Sequence, residues 1–258
     1  MSSLIRNGSL GALLLLAGQA VAQGDSAALL TSLEQQQLAS YRLQTLFHLH
    51  SIQEGAENVG GQLKAESASF LTQLEQLDEQ ASGLGLETEI KAVQDEGRKF
   101  AGIVATDELL EQGYVDLHTV NDLSASQHAL REGYQRLEEQ LASKGVKGNP
   151  LQDQAILMQR IAAEYVRESA SLDGGSAIYD NAQDLEKPVD QLAQEFRQQL
   201  ASLDQQYAGQ AQVSQKLKKV GITFAYIEKS LQNYKERSVP YVVSRYSDKI
   251  VVSLTASN

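Results

Sequence analysis

The chain has no cysteine and no tryptophan. Its only three prolines, Pro150, Pro188 and Pro240, all lie in its second half. Without cysteine there are no disulfides, no thiol nucleophile, no thiolate metal site, no covalently attached c-type haem and no lipid-modified N-terminal cysteine. Stability must come from packing alone. No later run is apolar enough to span a bilayer after the short stretch Leu10–Gly18. Basic charge is also sparse. The net charge is −11, and the densest cluster is Lys216, Lys218 and Lys219. At helical spacing those lysines read as a solvated face, and the acidic groups are spread along the chain with no basic stripe visible, so nucleic acid and anionic membrane surfaces are poor candidates as partners.

Catalytic signatures are missing too. None of the four histidines (His48, His50, His118, His128) follows a glutamate by three residues, so the paired Glu-x-x-His of di-iron bundles is absent. His48 and His50 are two apart and point in different directions on a helix, which leaves surface or partly buried histidines as the reading. There is no Gly-x-Ser-x-Gly elbow, and Gly60-Gly61 and Gly174-Gly175 lack the strand before and the lysine after that a phosphate loop needs. We expect no enzymatic activity, no metal and no cofactor.

What the chain does have is a repeat of itself. Arg42 aligns with Arg160 at an offset of 118, bringing Leu38, Leu43 and Phe47 onto Ile156, Ile161 and Tyr165. Phe70, Leu74, Leu77 and Asp78 fall on Phe196, Leu200, Leu203 and Asp204, an offset of 126. Val93, Phe100 and Ile103 fall on Leu217, Phe224 and Ile227, an offset of 124. One helical unit used twice accounts for the match, with the offset drifting where loops intervene.

Apolar residues recur at three- and four-residue steps, which is the helical period. The first copy predicts helices over about 26–53, 63–80, 87–104 and 107–144, with glycines 55, 60 and 61 ending the first and Gly83 and Gly85 the second. The second copy predicts helices over about 151–171, 181–207, 213–236 and 239–256. The last segment is rich in β-branched residues, but Val243, Tyr246, Ile250 and Leu254 are three and four apart, and a lone strand would have no partner. The fold class is all-α, as two tandem up-down four-helix bundles. Arg6, the leucine run and Ala20-Val21-Ala22 read as a secretory signal over residues 1–22, which predicts export to the periplasm. The first bundle then covers 23–146 and the second 147–258, divided at the Gly-rich segment 143–150. Side-by-side and end-to-end arrangements both remain open.

The candidate site lies on the first helix of each copy. An arginine among apolar neighbours needs an acidic partner, an aromatic platform or an anionic ligand. Arg42 sits in Ala39-Ser40-Tyr41-Arg42-Leu43-Gln44, and Arg160 in Gln159-Arg160-Ile161-Ala162 followed by Tyr165. The second stretch resembles the first helix of the sensor module of type IV pilus methyl-accepting chemotaxis transducers, which carries an Arg-Met-Leu-Ser-Gln-Arg-type sequence. The first resembles the related stretch in nitrate/nitrite sensor histidine kinases. The resemblance implies a periplasmic four-helix bundle with ligand-binding residues at Arg42, Gln44, Gln159 and Arg160. It also implies a small anion and an inner-membrane receptor or kinase as partners, and it admits a homodimer. In the nitrate sensors two arginines five apart hold the anion at a dimer interface; here each copy keeps one, so nitrate itself does not carry over. A stand-alone sensory or ligand-binding accessory protein is therefore expected. The alternative is an adaptor that binds partner helices without a small ligand, which would show an exposed apolar stripe.

Overall fold

The computed structural model describes residues 10–53, 57–113, 115–174, 187–236 and 238–256, with side chains from Asp25 onward except at 172–174. Among these residues the protein is all-α, with no strand. The first copy contains α1 (Leu10–Ile52), α2 (Glu57–Glu75), the short α3 (Leu77–Ala81), α4 (Glu87–Val104), the short α5 (Asp107–Gln112) and α6 (Leu117–Ser143). The second contains α7 (Pro150–Gly174), α8 (Val189–Gln206), α9 (Ala211–Gln232) and α10 (Pro240–Thr255). The β-branched C-terminal segment is therefore helix, with Pro240 at its first turn, where the missing N–H leaves no bond unmade.

Several boundaries differ from the sequence reading, each for a local reason. The helix expected over 107–144 is divided: Gly113 takes a left-handed φ of 65° and caps α5, and the Asp116 carboxylate accepts from Thr119 N at 2.7 Å to start α6. Gly60 and Gly61 do not precede α2 but lie inside it. A Cβ on Gly60 would stand 2.9 Å from the His50 ring, so glycine there makes room for the imidazole. The helical backbone of α1 begins at Leu10, so the leucine run is part of a long helix. Residues 1–9 of the expected signal segment, and 181–186 of the helix expected from Asn181, lie outside the described residues.

The helix contacts form two rings. In the first, α1 packs on α2, α2 on α4, α4 on α6 and α6 back on α1; in the second, α7, α8, α9 and α10 close in the same order. This is compatible with two tandem up-down bundles. The repeat is visible in the core. Phe70 and Phe100 pack at 5.9 Å between ring centroids, and Phe196 and Phe224 at 4.5 Å, with all four buried. Gln36 Nε2 donates to Phe70 O, and Gln154 Nε2 donates to Phe196 O, at matching places in the two copies. Gly97 faces Leu74, and Gly221 faces Leu200, again at matching places. Among the matched apolar residues the match weakens at Ile103, half-buried where Ile227 is fully buried.

The rings meet through α1 and α7, so the bundles stand side by side. Glu34 lies beside Asp153, Arg42 and Gln159 line one groove, and His48 feels the charge of Arg167. These proximities run in the same order along both helices, so α1 and α7 are parallel. Residues 34 and 153, like 48 and 167, are 119 apart, against the repeat offset of 118. Equivalent turns of the two copies thus lie level with each other, as in a parallel dimer.

Candidate functional site

Arg42 sits half-buried on α1. Its Nε donates to both Glu66 carboxylate oxygens, at 2.9 and 2.7 Å, and its Nη1 donates to Asp248 Oδ1 at 2.7 Å. Burial disfavours its charge, but Asp248 and then Glu66 outweigh it and hold the guanidinium above its ordinary pKa. Two carboxylates from α2 and α10 therefore occupy the fork that an anion would need. The pair with Asp248 also ties the first bundle to the second. Beside it is a groove of about 470 Å³ between α1, α2, α7 and α10, lined by Leu38, Arg42, Gln73, Gln159, Asp248 and Val251 among others.

The other three predicted residues are not gathered around one point. Gln159 is buried and lines this groove, and its Nε2 has no hydrogen-bond partner. Gln44 is buried elsewhere on α1, with Oε1 unpartnered, and does not line the groove. Arg160 is half-buried on α7 and is likewise not part of the groove lining. The structure thus brings Arg42 and Gln159 together and leaves Gln44 and Arg160 apart.

Three features escaped the sequence. The first is the polar character of the buried surfaces of α1 and α7. Gln36, Gln37, Ser40, Gln44, Thr45 and His48 are buried on α1, and Gln154, Gln159, Glu164, Arg167 and Ser169 on α7. Arg167 Nε donates to Glu164 Oε2 at 2.9 Å and Nη2 to Glu168 Oε1 at 2.9 Å. Burial, and then the Arg167 charge, push the His48 pKa down to about 3, so its imidazole is neutral. His50, equally buried, bonds through Nε2 to Leu109 O at 2.9 Å and so holds α5. Neither is a surface or partly buried histidine, because α1 is covered on both sides: His48 faces Arg167 of α7, and His50 faces α2 and α5.

The second feature is a trio of carboxylates where α1, α6 and α7 converge. Burial raises the Glu34 pKa to about 7, with Asp153 and Glu138 adding to the shift. Burial also raises Glu138 and Asp153. Gln37 donates to Glu138 Oε1, and a Cβ on Gly148 of the connecting segment would stand 3.7 Å from Glu34 Oε1 and 3.9 Å from Asp153 Oδ1. Among the described residues no group of three or more His, Asp or Glu is placed to hold a metal ion.

The third is a surface strip on α9 and α10. Every large apolar side chain that is strongly exposed among the described residues lies on these two helices: Ile222, Tyr226, Tyr241, Val242 and Val252. Ile222 is 75% exposed and Tyr226 64%. Tyr226 stacks on Tyr246 at 4.5 Å, and Lys249 Nζ lies 4.6 Å from the Tyr246 ring centre. The signal was present in the sequence, since α9 carries apolar residues on the face opposite its buried Val220, Phe224 and Ile227. The comparison between copies also points to it: Ile222 and Tyr226 fall on Arg98 and Gly102.

Among the described residues no helix is long and apolar enough to cross a membrane. No family model matches the chain, and no characterised protein or solved structure does either.

Proposed function

We propose that this chain is a non-enzymatic adaptor: two fused bundles that present the α9–α10 face to a partner. The observation that carries this reading is the exposed strip itself. A water-exposed Ile222 and Tyr226, one turn apart on α9, together with exposed Val242 and Val252 on α10, have no role in either core. The occupied fork of Arg42 counts the other way for the anion reading, because a guanidinium shared by two carboxylates has little charge left to offer. The resemblance of the α1 and α7 stretches to chemotaxis-transducer and nitrate-sensor modules fits a parallel pairing of first helices, and on this reading an exported, periplasmic setting.

A second reading is favoured by one atom. Gln159 Nε2, buried and unpartnered, lines the groove beside Arg42, and a small neutral or zwitterionic ligand with an acceptor would satisfy it. Two experiments separate the readings. In a thermal-shift screen of free amino acids, nitrate, nitrite, sulfate and small carboxylates, the adaptor reading expects no rise in Tm. A compound that raises the wild-type Tm and loses its effect in Arg42→Gln or Gln159→Ala would restore the ligand-binding reading. A photo-crosslinker placed at 222 in the producing cells should form adducts where one at 98, the matching site of the first bundle, forms none. Equal labelling at the two sites would refute a dedicated face.

A further inference from the structure

We infer that the α9–α10 strip is a docking surface for an anionic lipid bilayer; this rests on the adaptor reading and gives its partner a chemistry. The strip mixes two kinds of side chain. Ile222, Tyr226, Val242, Tyr246 and Val252 supply apolar and aromatic surface, and the exposed Lys218, Lys219, Lys229, Arg245 and Lys249 supply positive charge. By helical spacing, Lys218, Ile222, Tyr226 and Lys229 share the outward side of α9, opposite buried Leu217, Val220, Phe224 and Ile227. Arg245, Lys249 and Val252 share that of α10, opposite Val243, Ser247, Ile250 and Leu254. The carboxylates of these helices are turned to the flanks: Glu228 pairs with Arg197 of α8, and Asp248 with Arg42 of α1.

The total charge conceals this. Residues 23–146 carry 20 acidic and 8 basic side chains, whereas residues 147–258 carry 13 of each. Within 211–256 there are 8 basic residues and 3 acidic ones. Fields at physiological ionic strength fade over about 8–10 Å, so a surface responds to the local balance and not to the chain's sum of −11. The bundle arrangement adds to the separation. α9 packs on α8 and α10, so Lys218, Ile222, Tyr226 and Lys229 sit on a helix set back from the acidic first bundle, whereas α10 touches α1 and Val252 lines the groove beside Arg42.

Side-chain chemistry favours a bilayer over a partner helix. The exposed Tyr226 ring of α9 packs on Tyr246 of α10 at 4.5 Å between centroids, so aromatic surface lies where the two helices adjoin. Tyrosine rings and aliphatic tips ringed by long lysine and arginine stems suit the headgroup boundary, where the rings enter and the charges stay in the polar layer. The acidic lipid headgroup supplies the charge complement.

The test is co-sedimentation of the full chain with vesicles of phosphatidylglycerol and phosphatidylcholine (3:7) or of phosphatidylcholine alone. Binding should require the anionic lipid and fall at least tenfold between 50 and 500 mM NaCl. K218E/K229E should abolish it, and I222S/Y226S should reduce it severalfold; all four side chains are exposed, and unchanged circular dichroism checks the fold. K91E/R98E on the first bundle should bind like wild type. Equal binding to the two vesicle types, or no loss in K218E/K229E, overturns the proposal. Failure on vesicles with retained binding of a labelled Glu/Leu amphipathic helical peptide overturns the lipid identity and leaves the adaptor reading. Self-association abolished by the same variants would assign the strip to a second copy. Absence of all three would end both readings.

Discussion

The two bundles share their inner layer and differ in almost everything outside it. Phe70 with Phe100 repeats as Phe196 with Phe224, and the side-chain amides of Gln36 and Gln154 reach matching carbonyls. Outside, Arg98 and Gly102 of the first bundle are replaced by Ile222 and Tyr226, and an acidic surface gives way to a balanced one. The inner layer is constrained by close packing, in which each side chain fills a volume fixed by its neighbours. The outer surface is free to change its chemistry without disturbing that packing. Where the copies part company is therefore where a specific role is to be sought.

The comparison can be broken at its strongest point first. Phe100→Ala and Phe224→Ala should each cost about 3–5 kcal/mol in urea unfolding, because both rings are fully buried against a second phenylalanine. A cost near zero at either ring would show that the layers are not equivalent. The glycine pair should split in sign. A Cβ on Gly97 would stand 2.5 Å from Leu74 Cδ2, so Gly97→Ala should destabilise by about 1–3 kcal/mol as the leucine is displaced. On Gly221 the nearest atom, on Leu200, is at 3.7 Å, an ordinary contact, so Gly221→Ala should be neutral or stabilise by up to about 1 kcal/mol through helix propensity.

The pH dependence sharpens the contrast between the two ends of the α1–α7 region. Glu34, raised to about 7 in the fold, favours the folded state fully below about pH 4.5, and this contribution is lost as pH rises toward 7. His48, lowered to about 3, has the opposite sign: its contribution is present above about pH 6.5 and is lost as pH falls toward 3. Glu34→Gln should thus raise Tm at pH 8 relative to wild type and leave it unchanged at pH 4, and an equal shift at both pH values would contradict the assignment. A small effect is expected at Arg42. Its pairs with Glu66 and Asp248 are about one-third exposed, so Arg42→Gln should cost about 1 kcal/mol or less in urea unfolding. A loss of several kcal/mol would mean that the link to α10 supports the second bundle.

The helices were legible because their apolar residues keep one period and recur between copies, so a pattern and its duplicate supported each other. α4 matches its expected bounds at both ends. The breaks were less legible. Gly113 ends a helix whereas Gly60 sits within one, and the difference lies in the His50 ring, which belongs to another part of the chain. At the candidate site, the sequence singled out Arg42 but not its partners. Asp248 lies 206 residues away, and no local spacing announces it. The open choice between side-by-side and end-to-end bundles had the same cause: the face that α1 turns to α7 carries Glu34 and His48, both buried, and such residues read as a solvent face.

The level, parallel pairing of α1 with α7 has a consequence for dilution. Two separate subunits joined this way would come apart as their concentration fell, whereas here the second half is held at a fixed, high local concentration by residues 144–149. The assembled form should therefore survive at any dilution. Fusion also lifts the rule that a two-fold dimer must display every feature twice. Each half is encoded separately, so one can keep an inert exterior while the other carries a sticky one, and the molecule acquires a front and a back.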